Sequence, residues 1–267
     1  MSLKIVVLAK QVPDTRNVGK DAMTAEGTVN RAALPAIFNP EDLNALEQAL
    51  RLKEQNPGST VGILTMGPPR AGEIIRQGLY RGADTGWLLT DRLFAGADTL
   101  ATSYALATGI QKIGDVDIVI GGRQAIDGDT AQVGPQIAEH LDLPLISYAQ
   151  DIKVEGDSVI VQRQYDDRYH VLKAKMPCVI TALSELNEPR YMTPGGIFDA
   201  YDAEITTWGR KDLKDVDDSN LGLAGSPTQI AKASDKVRKG KGVMMTAETA
   251  EEGVEYIMDK LLTKHVI

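Results

Sequence analysis

One stretch decides the fold of this chain: Asp117-Ile118-Val119-Ile120-Gly121-Gly122-Arg123-Gln124-Ala125-Ile126-Asp127-Gly128-Asp129-Thr130-Ala131-Gln132-Val133-Gly134-Pro135. Its β-branched apolar run predicts a buried strand, and the two following glycines permit a sharp turn or close approach of a ligand. Residues 127–130 supply N-cap residues for a helix that we predict to reach about Leu141. A strand, a tight loop and a helix N-terminus form an anion site, because free N–H groups and the helix dipole point at the same spot.

The loop of this stretch is compatible with two interpretations. It matches neither a Walker loop nor a G-x-G-x-x-G fingerprint, and its two aspartates would repel a phosphate if both faced it. In a nucleotide site, one aspartate would cap the helix or accept from ribose hydroxyls, while backbone N–H groups and Thr130 hold phosphate oxygens. An ordinary capped strand-to-helix turn is the alternative, although α/β folds bind ligands at such carboxyl ends of strands.

Composition excludes several classes of protein. The 267 residues are 43% hydrophobic and 25% charged, as in a soluble globular protein, and the net charge of −8 argues against a nucleic-acid partner. No apolar run approaches the roughly 18 residues of a membrane span. The start of the chain has no signal-peptide layout, and the single Cys178 lies in an apolar run as a core residue, so we expect a cytoplasmic protein. We predict no catalytic constellation and no metal site.

Strands alternate with helices over the first half of the chain, including a helix predicted over residues 95–113. This alternation predicts an α/β fold, a parallel sheet with helices on both faces. Three predicted strand ends converge as site walls, at Leu8-Ala9, Thr65-Met66-Gly67 and Gly121-Gly122. Pro40 suits the first position of a helix with Asn39 as its cap. Asn39 and Asp42 either cap this helix or touch a ligand at the strand ends.

The second half departs from this alternation. Two-residue turn signals between period-2 runs predict an antiparallel hairpin extension at about 151–174, after which Cys178–Thr181 returns to the sheet. Two prolines and a Gly-Gly pair predict that residues 184–198 form an exposed loop without helix or central strand. Its apolar residues either bind a partner or tuck into the core; they are Leu186, Tyr191, Met192 and Ile197.

The remaining segments set the predicted domain organisation. Residues 14–34 are polar and predict a surface excursion or hairpin. Residues 207–245 have little periodicity, which is typical of an arm on a partner or of disorder. A closing helix over residues 247–262 has an apolar face. We therefore predict an α/β nucleotide-binding domain over residues 1–206 and a C-terminal arm and helix over residues 207–267.

Several short motifs, in order from residue 7 to residue 191, resemble the β subunit of electron-transfer flavoprotein. They are Val7–Asp14, Asn39–Asp42 with Leu46–Leu50, Met66–Pro69, Gly122–Gln132 and Leu186–Tyr191. The resemblance implies a Rossmann-like fold and a heterodimer with a larger α subunit, which supplies most of one FAD site. It implies that the arm packs on the α subunit and that the 184–198 loop docks an acyl-CoA-type dehydrogenase or reductase.

The resemblance also implies a nucleotide site at the strand ends. The family's contacts carry over to Ala9, Asn39, Asp42, Met66, Gly122, Arg123, Gln124, Ala125, Asp127, Gly128, Asp129, Thr130, Ala131, Gln132 and Val133. Respiratory members hold AMP in this site. Bifurcating members hold a second FAD, which takes hydride from NADH and passes electrons to ferredoxin or flavodoxin and, through the α-subunit FAD, to the dehydrogenase.

The form of two segments resembles the bifurcating members, namely Ala125–Pro135 and Thr90-Asp91-Arg92 with Ala95–Thr99. One departure concerns Pro194-Gly195-Gly196, which stands where respiratory members place a leucine anchor. It implies a different dehydrogenase surface. Two alternatives stay open: a respiratory-type β subunit that holds AMP, and a non-redox domain that senses adenine nucleotides.

Overall fold

The computed structural model describes residues 1–14, 35–228, 240 and 242–267. The chain divides into two compact units, Met1–Ala231 and Lys232–Ile267. Apart from Asp14, the excursion predicted over residues 14–34 lies outside the described residues, as do residues 229–239 and 241 of the predicted arm.

The first unit is built on one large sheet. Its strands are β1 (Lys4–Leu8), β4 (Thr60–Met66), β5 (Thr85–Leu89), β6 (Ile118–Gly122), β7 (Leu145–Glu155), β8 (Ser158–Tyr165), β9 (Arg168–Lys175), β10 (Cys178–Ala182) and β11 (Thr206–Trp208). Their order in the sheet is β11-β5-β4-β1-β6-β10-β7-β8-β9. Every pairing from β11 to β7 is parallel, and the last two are antiparallel. Two short strands, β2 (Gln11–Pro13) and β3 (Ala36–Phe38), form a separate antiparallel pair.

Helices cover both faces of this sheet. They are α1 (Pro40–Gln55), α2 (Gly72–Leu79), α3 (Thr99–Ile113), α4 (Val133–Leu141) and α5 (Pro194–Ala200). Alternate residues of β1 enter two separate cores, because successive side chains of a strand point to opposite faces. Ile5 and Val7 pack with α1 and α2, whereas Val6 and Leu8 pack with α3 and α4. The predicted α/β fold with a parallel sheet covered on both faces is confirmed.

The antiparallel hairpin extension is also confirmed. Strands β7, β8 and β9 form a meander, with a turn at Gly156-Asp157. Gly156 has φ +60°, a left-handed conformation that glycine adopts without steric penalty. The meander continues the main sheet as its outer edge, so the extension and the parallel strands share one backbone hydrogen-bond network.

Two predicted helix boundaries were wrong. Helix α4 starts at Val133 with Gln132 as its N-cap residue, so residues 127–130 do not cap it. They form an irregular loop, in which the Asp127 carboxylate pairs with the distant Lys10. Helix α3 starts at Thr99, and the Asp98 carboxylate caps it by accepting from the N–H groups of Leu100 and Ala101. A side-chain cap therefore fixes this start later than the predicted residue 95.

The prediction of a helix-free loop over residues 184–198 was also wrong. Helix α5 begins at Pro194, and the Thr193 hydroxyl accepts a hydrogen bond from the Gly196 N–H group at 3.0 Å. Proline suits the first helical position, where no intrahelical N–H bond is lost. Pro194, which we took as evidence against a helix, therefore occupies the first position of α5.

Residues 207 and 208, which we assigned to the arm, belong to strand β11 of the sheet. The Trp208 ring stacks on Trp87 of β5 with 6.1 Å between ring centroids. Two further residues of the predicted arm, Leu213 and Leu221, are buried in the core on the α3 side. The first unit thus includes the described residues 207–228, which we had assigned to the arm. The sequence did not reveal this, because a three-residue strand and scattered leucines give no periodic signal.

The second unit contains helix α6 (Ala250–Thr263), capped by the Thr249 hydroxyl. Its large apolar side chains are exposed within the described residues, including Val254 and Ile257, both 59% exposed. No helix in the described part of the chain has the length and apolar character that crossing a membrane would require.

Candidate functional site

The candidate site lies at the carboxyl edge of the three central strands. Leu8 pairs in register with Leu64 of β4 on one side and with Gly121 of β6 on the other. The ends of these strands therefore meet at one level, which brings Ala9 after β1 close to Met66 and Gly122, the last residues of β4 and β6. The loop after β6, residues 123–132, and the first turn of α1 complete the site.

Asn39 ties the first turn of α1 to this loop. Its side-chain Nδ2 donates to the Gln124 carbonyl at 2.9 Å, and its Oδ1 accepts from the Ile126 N–H group at 3.1 Å. It stands at the N-cap position of α1 but makes no side-chain cap hydrogen bond. The capping interpretation was therefore wrong for its side chain, which shapes the loop instead.

Asp42 joins two strand ends. Its Oδ2 accepts from the Lys10 N–H group after β1 at 2.8 Å, and its Oδ1 accepts from the Gly122 N–H group at 2.9 Å. Burial raises the pKa of this carboxyl to about 7, although the hydrogen bonds to Asn39, Lys10 and Gly122 oppose the shift. Because both oxygens are engaged by the protein, Asp42 positions the site walls.

Glu41 and Arg123 form an ion pair beside Asp42. The Arg123 Nη2 to Glu41 Oε1 distance is 2.9 Å, and Glu41 Oε2 accepts from the Gln124 N–H group at 3.0 Å. Burial raises the pKa of Glu41, against the Gln124 hydrogen bond and Arg123, and the nearby Glu185 adds to the rise. The polar side chains at the start of α1 thus hold the backbone of residues 122, 124 and 126.

Both loop aspartates have side-chain partners. Lys10 Nζ lies 2.6 Å from Asp127 Oδ1, and Gln124 Nε2 donates to Asp129 Oδ1 at 3.0 Å. The lysine offsets the negative charge of Asp127, and the amide holds the Asp129 carboxylate on the side of Gln124. The repulsion that two aspartates would impose on a phosphate is thereby reduced.

The second half of the loop leaves backbone donors unused. Asp129 and Ala131 have φ of 50° and 54°, a left-handed conformation that is uncommon outside glycine, whereas Gln132 is right-handed. Successive residues of opposite handedness direct their N–H groups to one concave side, which suits an anion. No hydrogen bond between described residues uses the N–H groups of residues 130–133. This segment leads directly into the N-terminus of α4, where the helix dipole also favours negative charge.

Two further observations support a ligand at this edge. Thr65, near the end of β4, is fully buried, and its hydroxyl has no hydrogen-bond partner among the described residues. A methyl group on Gly122 would overlap Asp42 and Glu41, so the backbone there is packed as closely as glycine permits. Ala125, Gly128 and Thr130 lie within the loop, and Gly128 and Thr130 are exposed. The arrangement can hold a phosphate-bearing group.

The segment over residues 184–192 is clamped to α1 beyond its first turn. Asn44 Nδ2 donates to the Asn187 carbonyl at 2.6 Å, and Asn187 Nδ2 donates back to the Asn44 carbonyl at 3.0 Å. Arg190 Nε donates to Glu47 Oε2 at 2.8 Å and Arg190 Nη1 to Glu54 Oε1 at 2.5 Å. Burial alone would raise the pKa of Glu47, but the hydrogen bonds from Arg190 and Arg51 hold it below its usual value.

The four predicted docking residues differ in their exposure. Tyr191 is 81% exposed, whereas Met192 and Ile197 are half-buried. Leu186 packs against the core on the α1 side, the alternative that the sequence left open. Sequence reasoning missed Phe198 and Tyr201, which are 82% and 65% exposed. Their helical spacing next to Thr193-Pro194 was the available signal.

Among the described residues, no three His, Cys, Asp or Glu side chains come together as metal ligands. Cys178 is buried in β10, and burial raises the pKa of its thiol to about 12. Its predicted role as a small core residue is confirmed.

Comparisons with known proteins identify the family. The electron transfer flavoprotein domain matches residues 26–219 of the chain. The chain belongs to the electron transfer flavoprotein family. It is 49% identical over 265 residues to the caffeyl-CoA reductase-Etf complex subunit CarD of Acetobacterium woodii, which covers 99% of this chain and 100% of that protein.

Two further relatives are also named as electron transfer subunits. The electron transfer flavoprotein subunit beta of Clostridium acetobutylicum is 48% identical, with 99% of this chain and 100% of that protein covered. The acryloyl-CoA reductase electron transfer subunit gamma of Anaerotignum propionicum is 46% identical, with the same two shares covered. The resemblance to the β subunits of electron transfer flavoproteins is therefore confirmed over the whole chain.

Proposed function

We propose that this chain is the β subunit of a heterodimeric electron transfer flavoprotein that bifurcates electrons, with FAD bound at the carboxyl edge of the central strands. NADH is the proposed electron donor. One electron passes to ferredoxin or flavodoxin, and the other passes through the α-subunit FAD to an acyl-CoA-type dehydrogenase or reductase. The names of the relatives from Acetobacterium woodii and Anaerotignum propionicum support an acyl-CoA reductase as partner.

The observation that carries the nucleotide assignment is the row of unused N–H groups over residues 130–133, next to the Thr130 hydroxyl. A pyrophosphate needs several donors at one place, and backbone N–H groups at a helix start supply them without a lysine or arginine. Lys10 and Gln124 engage the two loop aspartates, so their carboxylates compete less with the phosphate. The buried Thr65 hydroxyl is a further donor at this edge.

The flavin itself would supply the redox chemistry, accepting two electrons from NADH and releasing them one at a time. The chain's own residues bind and orient it. Asn39, Glu41 and Asp42 fix the site walls by hydrogen bonds to four residues, Gln124, Ile126, Gly122 and Lys10. Because these contacts lie within the chain itself, they hold the cradle in shape and reduce the ordering entropy that opposes binding.

The proposed partner surfaces are two. Helix α6 presents exposed apolar side chains, which suits packing on the α subunit. Tyr191, Phe198 and Tyr201 form an exposed aromatic set on a braced segment, and aromatic anchors carry much of the energy of protein interfaces. We assign the second surface to the dehydrogenase. A cytoplasmic location is consistent with the single, reduced Cys178.

Cofactor content of the purified heterodimer tests this function. Two flavins per heterodimer, measured from the visible spectrum after denaturation, is the result we expect. Reduction of one of them by NADH should follow. One flavin with AMP released on denaturation would identify the respiratory type instead, and neither flavin nor redox response would identify a nucleotide sensor.

A further inference from the structure

Two adjacent residues at the start of α3 contact the nucleotide loop and the last described segment of the first unit, residues 209–228 (the C-terminal segment). Thr99 Oγ1 donates to Gln132 Oε1 at 2.8 Å. Asp98 Oδ2 accepts from the Thr228 N–H group at 3.1 Å. Gln132 is the N-cap residue of α4 and closes the loop of unused N–H groups. We propose that Asp98 and Thr99 are positioning residues that make nucleotide binding depend on anchoring of the C-terminal segment.

The Asp98 carboxylate is divided between two tasks. Its Oδ1 caps α3 by accepting from the Leu100 and Ala101 N–H groups at 3.0 and 3.1 Å, which leaves Oδ2 for Thr228. Thr228 lies shortly after Gly225, at the end of a segment that packs along residues 91–98. The start of α3 therefore sits between the C-terminal segment and the nucleotide loop and touches each through a separate atom.

The segment that Asp98 anchors is fitted closely to its neighbours. Gly222 has φ +51°, and a methyl group there would overlap the carbonyl oxygens of Leu93 and Ala95. Leu223 N donates to the Ala95 carbonyl at 3.0 Å, and the Arg210 N–H group donates to Asp91 Oδ2 at 2.9 Å. These contacts thus determine the position of Thr228. The hydrogen bond from the Thr228 N–H group to Asp98 links that position to the start of α3.

On the loop side, the Thr99 hydrogen bond has a geometric role. The Gln132 side chain makes no cap hydrogen bond to the N-terminus of α4, so this helix does not hold the side chain in place. Ala131, the residue before it, has a left-handed backbone, which is a strained conformation for alanine. The hydrogen bond from Thr99 to the Gln132 side chain restrains this strained turn. It holds the turn in the conformation that leaves the N–H groups of residues 130–133 open to a ligand.

The inference rests on the proposed nucleotide site, and the experiment separates the two. Thr99→Val and Asp98→Asn are made in the full heterodimer, and the dissociation constant for FAD and for AMP is measured with each. Thr99→Val removes the hydroxyl at nearly constant shape, and Asp98→Asn keeps one oxygen for the helix cap while removing the acceptor for Thr228. Loss of one restraining hydrogen bond predicts about 3- to 10-fold weaker binding for each variant.

Two further variants complete the design. Thr99→Ser retains the hydroxyl and should bind within about 2-fold of the wild type, a rescue that a purely structural role would not give. Thr102→Val is the matched control on the same helix, where no hydrogen bond between described residues uses the hydroxyl. Equal affinities for Thr99→Val and Thr99→Ser would overturn the inference. A wild-type heterodimer that binds neither FAD nor AMP would instead overturn the nucleotide site itself.

Discussion

The Asp42 Oδ1 atom accepts a hydrogen bond from the Gly122 N–H group at 2.9 Å, and a methyl group added to Gly122 would stand only 2.5 Å from that oxygen. The same methyl would lie 2.7 Å from Glu41 Cβ. The end of β6 and the first turn of α1 therefore meet at a separation that only glycine allows. The cradle at the carboxyl edge depends on this approach.

Gly122→Ala should therefore open the site. The added methyl must push α1 away from β6, and overpacking of this kind costs about 1–3 kcal/mol of folding free energy. We expect a lower unfolding midpoint of the heterodimer and reduced cofactor content after gel filtration. Gly195→Ala is the matched control outside the site, since a methyl group added to Gly195 would have no neighbouring atom within 4 Å. Equal cofactor content in the two variants would contradict the role of the Asp42–Gly122 approach.

Burial of the Asp42 carboxyl predicts a pH-dependent stability. Its pKa of about 7 in the folded protein exceeds the value of about 3.9 in an unfolded chain. The stabilisation from its bound proton is fully present below about pH 4 and is lost as pH rises through about 7. The free energy of unfolding of the wild type, relative to Asp42→Asn, should therefore decline between about pH 4 and about pH 7 and stay level above that range.

Denaturant unfolding of the heterodimer at several pH values measures this difference. Asp42→Asn keeps one acceptor oxygen, so one of the two N–H groups at Lys10 and Gly122 loses its partner. At every pH that loss should contribute a roughly constant destabilisation of about 1–3 kcal/mol. Asp142→Asn serves as control, because Asp142 is exposed and asparagine tolerates its left-handed backbone. A difference between wild type and Asp42→Asn that does not change with pH would count against the prediction.

Thr130→Val tests the proposed phosphate-binding part of the loop. Thr130 is exposed and lies outside α4, so it does not cap that helix, and its substitution should leave the unfolding midpoint of the cofactor-free heterodimer unchanged. If the hydroxyl donates to a phosphate oxygen, cofactor affinity should fall by about 1–3 kcal/mol. Thr130→Ser should retain wild-type affinity. Retention of cofactor by Thr130→Val during gel filtration, at the wild-type level, would exclude Thr130 from the site.

The location of the site could be predicted from sequence because it depends on local patterns. The apolar run before Gly121-Gly122 and the pair Asn39-Pro40 each mark an element end, and parallel strands bring such ends together. The roles of single residues could not be predicted. Asn39 and Gln124 are 85 residues apart in sequence, so no local pattern shows that the Asn39 amide bonds to the loop and not to its own helix.

The two elements that sequence reasoning missed are stabilised by tertiary contacts. Helix α5 contains Gly195-Gly196, which weaken a helix, yet a methyl group on Gly196 would overlap the Tyr80 carbonyl oxygen at the end of α2. Close packing on α2 thus explains a glycine that propensity alone would place in a loop. Strand β11 has three residues, and it forms because Trp208 stacks on Trp87 of the neighbouring strand.

The exposed face of α6 predicts dependence on a partner. Ile257 and Leu262 are 59% and 57% exposed, and burying such side chains in an interface commonly contributes about 2 kcal/mol or more per anchor residue. Ile257→Asp should therefore reduce the fraction of heterodimer in gel filtration of the chain mixed with its α subunit. Glu255→Ala, a change at an exposed polar position of the same helix, should not. An unchanged elution profile for Ile257→Asp would remove α6 from the interface.

The last prediction concerns the aromatic set beside α5. Phe198 is 82% exposed on a helix that packs against α2 by its glycine side, so the ring extends from a rigid base. Phe198→Ala should slow electron delivery to the dehydrogenase by raising its apparent KM, since losing one interface anchor weakens binding by about 2 kcal/mol or more. Flavin content and NADH reduction should be unchanged. Tyr169→Ala, at a 59% exposed aromatic on the β9 edge, is the matched control.

A second pair of variants separates docking from bracing within the same segment. Met192 and Ile197 are half-buried, so Met192→Ala with Ile197→Ala should destabilise α5 and slow electron transfer through loss of packing. Pro194→Leu should give no gain with the chain's own dehydrogenase, because a leucine anchor requires a matching pocket. The thermal midpoint should fall for the double variant and stay constant for Phe198→Ala. If Phe198→Ala delivers electrons at the wild-type rate at limiting dehydrogenase concentration, the aromatic set is not the docking surface and another part of the chain must bind the dehydrogenase.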